Sequence, residues 1–226
     1  MFTGPNIVRD GLVLALDAAN PKSYPGSGTT WYDLSGNERN FTWSTATWNS
    51  EGYFSTSSDQ IATGPASNSF GIDNSSGYTI FLAFKTNAGS GNAAFKFVGS
   101  ATYNRGIFLH PGWTNDTLYF DQGGCCNSDQ RLTYFNSNVI SSVYNVVTLR
   151  STVATRSIFY NGVKVSNTTT TAANINLTST GVMLGNVSDE AYTWNGNLAA
   201  FYVYSTSLSD DECIQTHIAL KSRFGV

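Results

Sequence analysis

The chain has 226 residues, only 12% of them charged, with a formal net charge of −3. That length supports one sizeable hydrophobic core, so a single domain is expected. Twelve Lys and Arg scattered among fifteen Asp and Glu make no basic face for nucleic acid, and no apolar run approaches the ~20 residues that cross a bilayer.

In chain order, residues 1–10 form a short extension that Gly4 and Pro5 keep out of regular structure; it either packs on its own sandwich or reaches a neighbouring subunit, and the latter is the favoured reading. It lacks the basic-then-apolar layout of a secretory leader. Strand signals separated by Gly, Asn, Ser and Asp clusters follow at 12–16, 78–85, 106–110, 117–121, 131–135, 144–150, 156–160, 181–185 and 198–204. Between 78 and 85 both alternating faces are largely apolar, which predicts a central strand covered on both sides. Asn161-Gly162 readily adopts the positive φ angles of a two-residue hairpin turn, so the flanking segments should pair antiparallel. Ser209 and Glu212 have capping-box spacing, and Cys213, His217, Leu220 and Phe224 then repeat every three to four residues. One short C-terminal helix should therefore dock on a two-sheet antiparallel β-sandwich spanning residues 11–226. Residues 87–92 and 166–174 read as loops.

Three cysteines, two of them adjacent, make no disulfide framework. A reduced state is the expectation, with a vicinal Cys125–Cys126 bridge as the alternative. Six Asn-x-Ser/Thr sites are a by-product of an Asn-, Ser- and Thr-rich composition and are read as unmodified.

The strand over 78–85, the segment Val146 to Leu149, the hairpin around Asn161-Gly162, the run Val182 to Asn186 and the closing segment Trp194 to Glu212 occur in the order found in laminin-G-like jellyrolls. The opening run, residues 4–37 with Asp33-Leu34-Ser35-Gly36-Asn37, resembles the start of laminin-G-like, concanavalin A-like domain proteins of tailed bacteriophages of the marine or cyanophage type. Here the motif continues Glu38-Arg39-Asn40, a departure from that group. The resemblance implies an all-β jellyroll sandwich and a virion protein assembled in the host cytoplasm. It would be a capsid decoration, fibre or baseplate component whose partners are other virion proteins, copies of itself and a host surface glycan. A free-standing lectin or adhesin module is the alternative, and a glycoside hydrolase or polysaccharide lyase of the same fold is the third.

Retaining glucanases of this superfamily need two carboxylates about 5 Å apart, supplied by strand residues two apart. The four glutamates, Glu38, Glu51, Glu190 and Glu212, never share a predicted strand, and Asp189-Glu190 would face opposite ways. No nucleophile elbow, phosphate loop or His/Cys metal spacing is present, so a non-enzymatic protein is expected. His217 reads as a packing residue.

Two binding sites remain to be tested. The resemblance implies calcium, for which Asp33 and Asn37 offer oxygens from one turn, with Asp116 or Asp121 adding another. The same residues can instead cap their own turn, and capping is the favoured reading. Saccharide binding needs an exposed ring beside amides and carboxylates. Trp113, raised on Pro111-Gly112, with Asn115, Asp116, Asp121 and Gln122, is the candidate.

Overall fold

A computed structural model of the chain describes residues 5–45, 47–57, 60–88, 93–100, 105–113, 115–139, 143–187 and 194–225. The strands run β1 (Leu12–Asp17), β2 (Thr30–Trp31), β3 (Phe41–Trp43), β4 (Trp48–Asn49), β5 (Tyr53–Thr56), β6 (Ile61–Ala66), β7 (Tyr78–Ala88) and β8 (Ala93–Val98). They continue as β9 (Arg105–Pro111), β10 (Thr117–Gln122), β11 (Arg131–Phe135), β12 (Asn145–Ser151), β13 (Arg156–Tyr160), β14 (Val163–Thr168), β15 (Gly181–Val187) and β16 (Asn195–Tyr204), before one helix, α1 (Asp210–Phe224). The first sheet has the order β14-β13-β12-β7-β16-β5-β4, with β1 also paired to β16. The second has the order β11-β10-β9-β8-β15-β6-β3-β2. All named pairings are antiparallel, giving the predicted two-sheet sandwich with a C-terminal helix.

Side-chain alternation sorts the core. Ile80, Leu82 and Phe84 of β7 point between the sheets, where they meet Phe95, Phe97, Leu109 and Phe120 of the second sheet. Phe81 and Ala83, on the other face of β7, belong to a separate apolar layer with Cys213 and Leu220 of α1. The predicted double-covered central strand is thus β7, lying between β12 and β16. At the other end of the core Phe54 packs against Trp31 and Trp43 with ring centroids 4.8 and 4.6 Å apart. Those residues belong to β2, β3 and β5, short strands that the sequence reading does not anticipate, as it does not anticipate β4, β6 and β8.

α1 starts as its sequence dictates. The Ser209 hydroxyl accepts from the Glu212 N–H (3.2 Å), and the Glu212 carboxylate accepts from the Ser209 N–H (2.8 Å). Asn161 and Gly162 take φ of 48° and 81° between β13 and β14, as the Asn-Gly turn requires. Gly162 is needed for a second reason: a Cβ there would lie 2.5 Å from His217 Cδ2 on α1. His217 does pack, buried against this turn.

The extension departs from expectation. Residues 1–4 lie outside the described residues, but the part that follows packs on its own chain. The Val8 N–H donates to Thr216 Oγ1 of α1 (3.3 Å), and the Tyr204 hydroxyl donates to the Val8 carbonyl (2.9 Å). Val8 buries its apolar side chain in the layer between α1 and the first sheet, which gives this stretch a reason to fold back. β7 also continues to Ala88 and β14 to Thr168, into stretches expected to be loops.

Candidate functional site

The second sheet turns a row of polar and aromatic side chains away from the core. Leu118 and Phe120 of β10 face inward, so Tyr119 and Asp121 face outward; on β9 Leu109 is inward and Phe108 and His110 are outward. The strand register sets Tyr119 opposite His110 on β9, and Asp121 opposite Arg131 on β11. The β9–β10 connection then brings Trp113 back over the row. The Trp113 backbone N–H donates to the Thr117 carbonyl (2.9 Å), and Asp116 turns the chain with φ of 58°.

The result is an edge-to-face array. Trp113 lies 5.2 Å from the His110 ring and 5.8 Å from the Tyr119 ring, both near perpendicular. The Arg131 guanidinium sits 4.4 Å from the Tyr119 ring centroid. It also grips Asp121 with two bonds, Nε to Oδ1 at 2.5 Å and Nη2 to Oδ2 at 2.6 Å. His110 Nε2 is 3.6 Å from Asp121 Oδ2. Burial alone would raise the Asp121 carboxyl, but hydrogen bonding from Arg131, helped by His110, holds it below the usual carboxylate range.

Of the five residues proposed for saccharide binding, three stand together on the β9–β10 connection: Trp113 is half-buried, Asn115 exposed and Asp116 intermediate. The other two are corrected. Asp121 is fully buried beneath Arg131. Gln122, the next residue on the strand, faces the core, where Tyr78 donates to its Oε1 (2.7 Å) and its Nε2 donates to the Ala173 carbonyl (3.1 Å). Adjacent strand residues cannot serve one face. The residues that complete the row instead are Tyr119 and Arg131. Alternation through Thr117-Leu118-Tyr119-Phe120-Asp121 was the signal that could have found Tyr119.

The turn proposed for calcium does not fit a cation. Asp33 Oδ1 accepts from the Ala15 N–H (2.9 Å) and the Ser35 N–H (2.8 Å); Oδ2 accepts from the Ser35 hydroxyl (2.7 Å) and the Arg39 N–H (3.1 Å). Asn37 directs its amide N–H groups to the Val13 carbonyl (3.3 Å) and Ser35 Oγ (2.9 Å). Both carboxylate oxygens are filled by donors, the capping arrangement. No group of three or more His, Cys, Asp or Glu suited to a metal occurs among the described residues.

Asp189 and Glu190 lie outside the described residues. The other glutamates, Glu38, Glu51 and Glu212, all lie off the strands. Cys125 and Cys126 are joined as a vicinal disulfide, which corrects the reduced reading for that pair, while Cys213 is free and buried. No helix among the described residues is long and apolar enough to cross a membrane.

No family model and no curated protein matches the sequence. Solved structures do resemble the fold. The binding domain of Paraclostridial Mosquitocidal Protein 1 superposes with a TM-score of 0.70 at 14% identity, over 92% of this chain and 52% of that one. Trypanosoma rangeli sialidase in complex with 2,3-difluorosialic acid gives 0.69 at 13% identity, over 94% of this chain and 34% of the enzyme. The binding domain of Botulinum neurotoxin DC in complex with SialylT gives 0.66 at 14% identity, over 94% and 52%. The chain thus spans about half the length of the toxin binding domains and about a third of the sialidase. At these identities the likeness shows the fold alone, a two-sheet β-sandwich.

Proposed function

We propose that this chain is a non-enzymatic binding module of a tailed-phage particle, and that the row around Trp113 takes a saccharide of the host surface. The observation that carries the saccharide reading is the Trp113–Tyr119–Arg131 array beside the exposed Asn115. A ring face covers the C–H face of a sugar, while guanidinium and amide groups bond its hydroxyls. The pairing of Arg131 with Asp121 leaves little net charge at the site, which suits a hydroxyl-rich ligand more than a strongly charged one. A toxin binding domain of this fold, in complex with SialylT, supports the reading by analogy.

The particle is inferred from the resemblance of residues 4–37, and homo-oligomerisation from the symmetry common in such assemblies. The reading needs neither metal nor cofactor. Co-sedimentation with host surface polysaccharide is expected, and Trp113→Ala should weaken it about tenfold, equivalent to ~1.4 kcal/mol. Unchanged sedimentation of the variant would overturn the site. Mass spectrometry of purified particles should find the chain at fixed stoichiometry; particles lacking it contradict the virion assignment. Release of reducing sugar from the same polysaccharide would contradict the non-enzymatic reading.

A further inference from the structure

On the other side of the sandwich, beside α1, lies a cavity of about 420 Å³. Three parts of the chain build it: the extension at Ile7, the end of β1 with Asp17 and Asn20, and the facing surfaces of β16 and α1 at Tyr202, Leu220 and Arg223. Its size lies in the range of small-molecule sites, roughly 300–1,000 Å³.

Polar groups converge on it with capacity to spare. Asp17 Oδ1 accepts from Arg223 Nη1 and from the Ala19 N–H, whereas Oδ2 has no partner among the described residues. Asn20 Oδ1 accepts from the Lys22 N–H at 3.0 Å, leaving the amide N–H donors uncommitted. Tyr202 is only 5% exposed, and its hydroxyl has no hydrogen-bond partner among the described residues. The hydroxyl can therefore donate to and accept from a molecule seated in the cavity. Burial, with the Asp17 charge nearby, raises the Tyr202 pKa and keeps the hydroxyl protonated.

We propose that this cavity is a second ligand site, for a neutral, hydroxyl-rich molecule of monosaccharide size. Asp17 and Arg223 cancel each other's charge, which disfavours an ionic ligand. Asp17 Oδ2 accepts from a hydroxyl, the Asn20 amide donates to another, and the Tyr202 hydroxyl serves either way. Ile7, Leu220 and the Tyr202 ring supply the apolar surface a sugar's C–H face requires. The site is separate from the Trp113 row and does not depend on it.

The test is an amide chemical-shift titration of the isotope-labelled full chain with glucose, galactose, mannose and N-acetylglucosamine at millimolar concentrations. At least one sugar should shift the resonances of Ile7, Asn20 and Leu220. Tyr202→Phe keeps the ring and removes the hydroxyl; Asn20→Asp keeps the bond to Lys22 and removes the donors. Each should weaken that Kd about fivefold or more, as loss of one hydrogen bond implies, while Trp113→Ala leaves it unchanged. No shift with any of the four sugars overturns the proposal. So do shifts that survive both variants, or shifts that vanish in Trp113→Ala.

Discussion

Asp121 shows how a single buried charge disciplines this protein. Its side chain is fully buried, and both oxygens are held by Arg131, with His110 Nε2 3.6 Å from Oδ2, so removing Arg131 takes away the main partner of a buried charge. Arg131→Met should therefore cost about 3–5 kcal/mol by urea denaturation. Since the folded carboxyl titrates below its unfolded value, its contribution is complete above about pH 4 and is lost as pH falls through the lower folded pKa. Asp121→Asn should flatten that acid limb; an unchanged stability profile between pH 5 and about pH 2 would contradict the assignment. The vicinal pair gives a simpler test. Without reductant, denatured protein should show a single titratable thiol, that of Cys213. Little of this was legible beforehand. Residue types marked Trp113, Asn115 and Asp116 as a polar-aromatic loop, but only strand alternation, applied to β10, separates Asp121 from Gln122 onto opposite faces. The pairing of Asp121 with Arg131 needs the register of β10 against β11, which no local pattern contains.

Elements whose cause is local were legible, and those made by partners were not. The Asn161-Gly162 turn and the Ser209–Glu212 capping box each involve four or fewer consecutive residues, and both form as the sequence indicates. Each supports a prediction. Gly162→Ala meets both a φ of 81° and a contact at 2.5 Å with His217, and should destabilise by about 2 kcal/mol net, because strain and clash outweigh the ~1 kcal/mol that Gly→Ala stabilises by restricting the unfolded chain. Ser209→Ala removes the N-cap and should cost about 1 kcal/mol, read as a lower thermal midpoint. By contrast β2, β3 and β4 have only two or three residues each, and Gly64-Pro65 interrupts the alternation of β6. Their order comes from Trp31, Trp43 and Phe54 meeting across the sandwich, a contact between segments distant in sequence. The extension is similar: Val8 has no local reason to be ordered until β16 and α1 are in place.

At the scale of the molecule, two apolar layers share the first sheet: a core between the sheets and a second layer under α1. That leaves the outward face of the second sheet as the place where polar and aromatic side chains accumulate, and the Trp113 row stands there. Similar sandwiches occur within toxin binding domains and a sialidase, so the architecture by itself permits either recognition or catalysis. The Trp113 row offers a ring platform with a neutralised ion pair, which supports the proposed recognition role. The most direct test of that claim is a glycan array probed with the wild-type chain and with Trp113→Ala, both verified as folded and assayed below their melting midpoints. The wild type should retain a restricted set of saccharides, and the variant should bind them about tenfold or more weakly. A blank array, or the same profile from both proteins, would contradict it.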